Sequence, residues 1–147
     1  MTVEIATGFL TPGEARAAFE IERASLPTAW SEAQIAACAR GEGAAKCLAL
    51  REGGTLRGVC SFTLAAEECE IINLAVEENS RRKGFGAKLL QAVFENALAN
   101  GANRVFLEVA EGNSAALPLY KAQGFVPVGR RKNFYRGEDA LIMAKDL

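Results

Sequence analysis

Residues 68 to 100 have the pattern of a strand, a short basic turn containing Gly84 and a long helix, joined without any intervening segment. The helix is the clearest in the chain, because Leu90, Val93 and Phe94 share one face at helical spacing. A strand that turns directly into such a helix has to lay the apolar face of the helix on its own sheet. This order restricts the chain to layered folds in which helices pack against a sheet.

The remaining elements extend this layered pattern in both directions. Runs rich in Val, Leu and Phe predict strands, whereas apolar residues at helical spacing behind Thr11 and Ser31 predict capped helices. The predicted strands are 3–6, 46–51, 56–65, 68–76, 103–110, 125–129 and 140–144, and the predicted helices are 11–25, 31–40, 84–100 and 113–123. Their order indicates an α/β (α+β, three-layer) fold, a mixed sheet with helices on its faces. At 147 residues, the chain 1–147 is expected to be a single domain.

The chain contains no histidine, and this absence removes several kinds of active site. Nucleophile systems that pair serine or cysteine with histidine are excluded, as are zinc sites with histidine ligands. The four cysteines lie 9, 13 and 9 positions apart, with no close pair in the sequence, and are expected to be buried, reduced thiols. No metal is expected, and a general base has to be Glu, Asp, Tyr, Lys or Cys.

Charge and hydropathy give no sign of a membrane or nucleic-acid partner. The formal net charge is −1, so the chain has no overall field that would attract a polyanion. No apolar run approaches the ~20 residues that a membrane span requires, and residues 1–10 lack the basic and apolar regions of a signal peptide. A cytoplasmic location is therefore expected, with no membrane and no direct nucleic-acid binding.

The turn that leads into the long helix has the composition of an anion-binding loop. The first backbone N–H groups of a helix have no partner within the helix, and the helix dipole adds about half a positive charge there. Gly84 and Gly86 carry no Cβ atoms that would keep a phosphate away from this backbone. Arg81, Arg82 and Lys83 add positive charge beside it. Taken alone, the loop fits a helix-capping turn with a solvated charge run equally well.

Two common phosphate loops do not fit this segment. A dinucleotide-binding fingerprint needs a third small residue where Leu89 stands, and a P-loop needs a Gly-Lys-Ser/Thr ending that is missing. The pattern Arg81-x-x-Gly84-x-Gly86-Ala87 instead resembles the acetyl-CoA loop of the GCN5-related N-acetyltransferases (GNAT), Arg/Gln-x-x-Gly-x-Gly/Ala. Because this motif is short, a second one is needed to support it.

A second signature of the same superfamily follows at the expected distance downstream. It reads Asn113-x-x-Ala116-x-x-Leu119-Tyr120-x-x-x-Gly124-Phe125. Within this superfamily, the chain most resembles the bacterial ribosomal-protein-alanine N-acetyltransferases (RimI type), because of its segments 29–32, 107–109 and 130–143. The similarity covers essentially the whole chain. The resemblance implies the GNAT acyl-CoA N-acyltransferase fold, with a mixed, mostly antiparallel sheet of about seven strands and four helices.

The resemblance also implies which side chains carry the chemistry. Glu108 matches the family's proton acceptor, and Tyr120 matches the proton donor to the coenzyme A thiolate. An α-amine has a pKa near 7.7–8.0, so about a tenth is unprotonated at pH 7, whereas a lysine with a pKa near 10.4 is under ~0.1% unprotonated. A base is thus needed modestly for an N-terminus and strongly for a lysine. The alternatives are an outward-facing strand carboxylate for Glu108 and a core tyrosine for Tyr120.

The resemblance implies acetyl-CoA as cosubstrate. In this family the strand before the loop pairs with the pantetheine arm, the loop holds the pyrophosphate, and an asparagine of the next helix contacts the cofactor. The matching positions are Leu74, Ala75, Val76, Arg82, Lys83, Gly84, Phe85, Gly86, Ala87 and Asn113. The Val76 N–H is the expected oxyanion partner, and Asn113 fits an ordinary helix cap equally well.

The implied activity is direct transfer of acetyl to a protein N-terminal amine, with the N-terminal alanine of a small-subunit ribosomal protein as the expected acceptor. Two alternatives stay open: a family member that acetylates a small amine such as an aminoglycoside, polyamine or amino acid, and a non-catalytic acyl-CoA-binding module. Pro118, about five residues into the predicted helix 113–123, is expected to remove a backbone bond and bend the helix near Tyr120.

Overall fold

The structure is a computed structural model that describes residues 3–135 and 137–147. Its strands are β1 (Ile5–Phe9), β2 (Ala45–Glu52), β3 (Thr55–Ala65), β4 (Glu68–Val76), β5 (Arg104–Ala110), β6 (Val126–Tyr135) and β7 (Glu138–Asp146). Its α-helices are α1 (Ala15–Ser25), α2 (Glu32–Ala39), α3 (Phe85–Ala99) and α4 (Ala116–Ala122). Within the described residues, the predicted order of elements and the expected seven strands and four helices are confirmed.

All these strands form one mixed sheet in the order β1-β2-β3-β4-β5-β7-β6. Neighbouring strands are antiparallel except β4 and β5, which run parallel because α3 carries the chain across between them. β7 inserts between β5 and β6, so β6 is an edge strand. The predicted mixed, mostly antiparallel sheet is confirmed.

Helices cover both faces of the sheet. α3 and α4 lie on one face, here called the α3 face, with a core that includes Leu89, Val93 and Tyr120. α1 and α2 lie on the other, the α1 face, with a core that includes Ala18 and Ile35. Successive residues of β2 divide between these two cores, as alternation along a strand requires. In the part of the chain that is described, the helices are too short or too polar to cross a membrane.

Both caps that the sequence predicts are present, but only α2 begins directly at its cap, whereas α1 begins at Ala15, after a separate turn. Thr11 and Glu14 form a capping box around a short 3-10 turn, Pro12–Glu14, which leads into α1. Ser31 and Gln34 form the second box, in which the Ser31 hydroxyl accepts the Gln34 N–H at 3.1 Å. These caps satisfy N–H groups that the start of a helix leaves unpaired.

A β-bulge in β4 sets the geometry at the centre of the sheet. Ser61 of β3 lies opposite Asn73 of β4. The next residue of β3, Phe62, lies opposite Ile71, so Ile72 is an extra residue on β4. Before the bulge the odd-numbered residues of β4 face α3, and after it the even-numbered ones do. The extra residue therefore bends the strand and exchanges the faces of the residues that follow.

β4 and β5 separate where the bulge occurs. Their parallel pairing runs from Glu68 with Arg104 to Ile71 with Leu107. Beyond Ile71, the last residues of β4 pair with β3, while the rest of β5 pairs with β7. The two central strands therefore enclose an opening toward their carboxyl ends, which we call the β4–β5 gap.

Several boundaries differ from the predictions. β1 runs on to Phe9, because all five of its residues pair with β2. β6 and β7 are longer than predicted, because they form a hairpin whose pairing continues to Tyr135 and Glu138. β5 alternates between buried and half-buried residues, and Phe106 is half-buried, so the strand is fully buried on one face only.

Candidate active site

The last residues of β4, Leu74, Ala75 and Val76, border the β4–β5 gap. Peptide groups along a strand point alternately to its two sides. The Glu77 N–H donates to the Arg57 carbonyl of β3 at 2.7 Å. The backbone groups of Glu77 therefore point toward β3. By alternation, the N–H and C=O groups of Val76 and Leu74 point away from β3 and into the gap. The gap is therefore lined by backbone groups available to an added strand-like ligand.

Beyond β4, the chain turns and begins α3. Gly84 is the N-cap in the left-handed conformation, with φ 78°, and its carbonyl accepts the Lys88 N–H at 3.1 Å. The N–H groups of Phe85, Gly86 and Ala87 precede this first bond of the helix and have no acceptor within it. Together with the helix dipole, they make a site for an anion such as a phosphate.

The basic residues before Gly84 are exposed. Arg82 has a positive φ of 69°, a conformation that helps a loop turn its N–H groups toward one side. The Lys83 ammonium lies 3.6 Å from the Glu52 carboxylate and 5.8 Å from the centre of the Phe85 ring. The Phe85 side chain is itself buried in the core, so at this position the loop offers an anion its backbone.

The two glycines of the loop meet different constraints. A Cβ on Gly84 would meet nothing within 4 Å, so its left-handed backbone is what favours glycine. A Cβ on Gly86 would stand 2.9 Å from the Leu119 Cδ2 atom of α4, so glycine is favoured there by the close approach of α4. The sequence analysis explained both glycines differently, by the space that a missing Cβ leaves for a phosphate, and it identified neither of these constraints.

Glu108 lies on β5 just past the point where β5 leaves β4. Val105, Leu107 and Val109 belong to the α3-face core, so alternation places Glu108 on the α1 face. Its side chain is 21% exposed, and Oε1 lies 3.0 Å from Nη2 of Arg131 on β6. The predicted proton acceptor is therefore a half-buried, ion-paired carboxylate rather than a solvated one.

Tyr120 lies on the other face of the sheet. It lies on α4, is 8% exposed, and packs edge-on against Phe125 with 5.8 Å between ring centres. Val109, near the end of β5, belongs to the same core as Tyr120. Glu108 and Tyr120 therefore lie on opposite faces of the sheet, with Glu108 beside the β4–β5 gap.

α4 begins at Ala116, three residues later than predicted. Asn113 Oδ1 accepts the Ala116 N–H at 3.1 Å, and the Asn113 carbonyl accepts the Leu117 N–H at 3.2 Å. Asn113 therefore caps the turn that leads into α4, which is one of the two roles that the sequence left open. Pro118 is the third residue of α4. Because the Asn113 carbonyl already accepts the Leu117 N–H, the next helical bond would run from residue 118 to the Ser114 carbonyl, and proline has no N–H to make it. The expected loss of a backbone bond is therefore confirmed, whereas the bend near Tyr120 stays a prediction.

Sequence reasoning missed a buried carboxyl on the α1 face. Glu22 of α1 is fully buried, and its Oε1 accepts the Trp30 N–H at 3.1 Å and the Asn73 Nδ2–H at 3.4 Å. Among the described residues, Oε2 has no hydrogen-bond partner. Burial raises the pKa of the Glu22 carboxyl. Asn73 also binds the Thr28 hydroxyl and carbonyl, so the loop 26–31 is tied to β4 beside the gap.

The cysteines are free and buried, as predicted. Burial raises the pKa of the Cys60 thiol, and it raises that of Cys69 to about 11. Neither is therefore a ready nucleophile at neutral pH. The fold also brings Cys38 and Cys47 into a thiol–thiol contact, which their separation in the sequence did not indicate.

Comparisons with known proteins show the family to which the chain belongs. The model of the acetyltransferase (GNAT) family matches residues 15–125. A ribosomal protein bS18-alanine N-acetyltransferase of Escherichia coli (strain K12) is 31% identical over 132 residues, which cover 87% of this chain and 88% of that protein. The crystal structure of the ribosomal-protein-S18-alanine N-acetyltransferase from Escherichia coli has a TM-score of 0.85 at 28% identity, covering 97% of this chain and 94% of that one.

A more distant structure extends the likeness in fold. NAA60 of Arabidopsis thaliana, solved in complex with acetyl-CoA, has a TM-score of 0.86 at 19% identity, covering 98% of this chain and 99% of that one. At this identity the likeness shows the fold alone. The family match, by contrast, spans most of the chain and both of the motifs quoted above. This chain therefore belongs to the GNAT acetyltransferase family and is an acyltransferase.

Proposed function

We propose that the protein transfers the acetyl group of acetyl-CoA to the α-amine of a protein N-terminus. The observation that supports this proposal is that Glu108 stands on the α1 face beside the β4–β5 gap, while Tyr120 lies on the α3 face of the same sheet. Transfer from a thioester to an amine needs a proton acceptor on the nitrogen side and a proton donor on the sulfur side. In this proposal the Glu108 carboxylate and the Tyr120 phenol meet these two needs from opposite sides of the gap.

Backbone groups of two neighbouring segments bind acetyl-CoA in this proposal. Leu74 and Val76 offer their N–H and C=O groups to the pantetheine amides, as an added strand would. The N–H groups at the start of α3 bind the pyrophosphate, with Arg82 and Lys83 as counter-ions. The Val76 N–H stabilises the negative charge that develops on the thioester oxygen. This assignment requires no metal.

On the nitrogen side, Glu108 accepts the proton that the amine loses, directly or through a water molecule. The amine nitrogen forms a bond to the thioester carbon and gives up its proton to the carboxylate. Since about a tenth of an α-amine is already unprotonated at pH 7, against under ~0.1% of a lysine, a partly exposed carboxylate is a sufficient base for an N-terminus and a weak one for lysine.

On the sulfur side, the carbon–sulfur bond breaks and its electron pair goes to the thiolate of coenzyme A. Tyr120 donates a hydrogen bond from its hydroxyl to this sulfur, and the released thiolate takes up its proton from solvent. Thiols have a pKa near 8.5 and phenols near 10, so the thiolate is a good leaving group and complete proton transfer from a phenol is uphill. The tyrosine therefore contributes chiefly a hydrogen bond to the developing charge.

For the acceptor, we propose the N-terminal alanine of a ribosomal protein. The Escherichia coli relative carries this activity in its name and matches over most of both chains. The loop 26–31, held to β4 through Asn73, lies on the α1 face, the same side as Glu108, and is available to contact an acceptor. A ribosomal acceptor also implies a cytoplasmic place of action.

Site-localised mass spectrometry tests this reaction directly. The protein is incubated with acetyl-CoA and a peptide that begins with alanine and carries an internal lysine. The matched control is the same peptide with a blocked N-terminus. We expect one acetyl group on the free α-amine and none on the lysine of either peptide. Absence of transfer to the α-amine while acetyl-CoA still binds would contradict the proposal and favour a small-molecule acceptor or a non-catalytic binding module.

A second peptide series tests the preference for alanine. Its members share one sequence and differ only in the first residue, which is alanine, serine or leucine. We expect the alanine peptide to have the highest kcat/KM. Equal values across the series would contradict alanine as the preferred acceptor while leaving N-terminal transfer intact.

A further inference from the structure

Two consecutive arginines on the edge strand β6 form ion pairs on opposite faces of the sheet. Arg130 Nη1 lies 2.6 Å from Glu111 Oε2 and 3.2 Å from Asp139 Oδ2. Arg131 Nη2 lies 3.0 Å from Glu108 Oε1. Side chains alternate along a strand, so the two arginines diverge. Arg130 binds carboxylates at the end of the β5–β7 pair, whereas Arg131 binds the Glu108 carboxylate beside the β4–β5 gap.

The Arg131 ion pair crosses an intervening strand. β7 lies between β5 and β6, and Ala140 of β7 pairs with Arg131 on one side and with Ala110 of β5 on the other. Because both alanines end in a methyl group, the arginine side chain is free to extend across β7 toward Glu108, two positions before Ala110. This part of the sheet therefore leaves space for a contact between non-adjacent strands.

The guanidinium of Arg131 has contacts on two sides. Its Cζ atom lies 5.3 Å from the centre of the Phe134 ring, within the range of a cation–π interaction. Its Nη2 atom holds one oxygen of Glu108. The Arg131 side chain is 58% exposed, whereas that of Glu108 is 21% exposed. The arginine thus approaches the carboxylate from the solvent side, and Glu108 lies between it and the interior of the sheet.

We propose that Arg131 is a positioning residue for acetyl transfer, which fixes the Glu108 carboxylate beside the β4–β5 gap by holding its Oε1 atom. The inference rests on the proposed function, because it takes Glu108 as the proton acceptor. A strand carboxylate without such a contact rotates among several side-chain conformers. Held in one conformer by Arg131, it presents Oε2 to the acceptor amine or to the water that relays the proton.

Steady-state kinetics of three single variants tests this inference, with thermal unfolding to verify that each is folded. Misplacing a catalytic group by about 1 Å costs up to about a hundredfold, so we expect Arg131→Ala to lower kcat about tenfold to a hundredfold. Its KM for acetyl-CoA should stay within about twofold of the unmodified enzyme. Arg131→Lys keeps the charge but loses the planar fork, and it should recover part of kcat.

Arg130→Ala is the matched control. It removes the neighbouring arginine together with ion pairs on the opposite face, so its kcat should stay within about twofold of the unmodified enzyme. A kcat for Arg131→Ala equal to that of Arg130→Ala would overturn the inference.

A double-mutant cycle with Glu108→Gln separates positioning from a general structural role. Because Arg131 acts through Glu108, Arg131→Ala should cause no further loss of kcat in the Glu108→Gln background. The same fold-loss in both backgrounds would overturn the inference. A Glu108→Gln enzyme with full kcat would overturn the proposed role of Glu108, and the inference with it. Full kcat for Arg131→Ala beside an inactive Glu108→Gln would overturn the inference alone.

Discussion

A single methyl group added at Gly86 tests how closely α3 and α4 are packed beside the proposed proton donor. In Gly86→Ala the new Cβ stands 2.9 Å from the Leu119 Cδ2 atom, whereas carbon atoms in contact are normally about 3.5–4.0 Å apart. Leu119 or its helix must therefore move by roughly 0.6–1 Å. Because Leu119 immediately precedes Tyr120, the part of this displacement that the Leu119 backbone takes up reaches the donor.

Two opposing effects leave the stability of this variant almost unchanged. Overpacking costs about 1 kcal/mol when, as here, the obstructing atom ends a half-buried and flexible side chain. Alanine is favoured over glycine within a helix by about 1 kcal/mol. We therefore expect a free energy of unfolding within about 0.5 kcal/mol of the unmodified protein. A donor displaced by up to about 1 Å should nevertheless lower kcat about tenfold or more.

Urea unfolding and initial rates measure the two quantities, and Leu119→Ala supplies the control. Truncating Leu119 removes both methyl groups that the new Cβ at position 86 would meet, so the Gly86→Ala/Leu119→Ala protein should have the kcat of Leu119→Ala alone. If the double variant is as slow as Gly86→Ala, the contact with Leu119 is not the cause of the loss. A loss of stability above about 2 kcal/mol in Gly86→Ala would also refute the reasoning.

Three further substitutions test other features. Glu14 binds Arg51 through both carboxylate oxygens, at 2.6 and 2.7 Å, and this pairing lowers the pKa of Glu14 from 4.5 to about 2. A lowered pKa stabilises the fold above pH 4.5 and loses that effect as the pH falls toward 2. After allowance for solvent screening, Glu14→Gln should therefore lower the free energy of unfolding by about 1 kcal/mol at neutral pH. Urea unfolding curves of the variant and the unmodified protein that stay apart down to about pH 2 would contradict this. Burial raises the pKa of Glu22, so its favourable contribution is complete below pH 4.5 and is lost as the pH rises. Glu22→Gln should gain stability relative to the unmodified protein from about pH 5 to pH 8, and a constant difference across that range would be evidence against burial as the cause. Asn113→Ala removes the acceptor of the Ala116 N–H and should cost about 0.5–1 kcal/mol, most of which Asn113→Ser should restore; equal stability of all three proteins would exclude the cap.

Elements governed by interactions within a few residues could be predicted from the sequence. The boxes that begin at Thr11 and Ser31 act over three residues, and both form as predicted: the first caps the 3-10 turn before α1, and the second caps α2 itself. The span of β4 matches its prediction, 68–76, because the turns on either side are marked by composition. The predicted elements placed Glu108 on a strand and Tyr120 on a helix, and the structure adds that they occupy opposite faces of the sheet.

Features that depend on pairing between distant segments could not be predicted in this way. The extra residue Ile72 is defined only by its register with β3, and the ion pair of Glu108 with Arg131 depends on the insertion of β7. Buried Glu22 is different, because a signal was present. It follows Ala18 by four residues on the apolar face of α1, and a carboxyl at such a position indicates either a structural hydrogen bond or a functional group.

The central claim is that Glu108 and Tyr120 act on one thioester from opposite sides of the β4–β5 gap. The most direct test measures kcat and acetyl-CoA affinity together for Glu108→Gln and Tyr120→Phe, with an alanine-starting peptide as acceptor. We predict acetyl-CoA affinities within about twofold of the unmodified enzyme. We also predict a kcat lower by about 10²–10⁴ for Glu108→Gln and, because the thiolate leaves readily, nearer 10² for Tyr120→Phe. An unchanged kcat in either variant would contradict the claim.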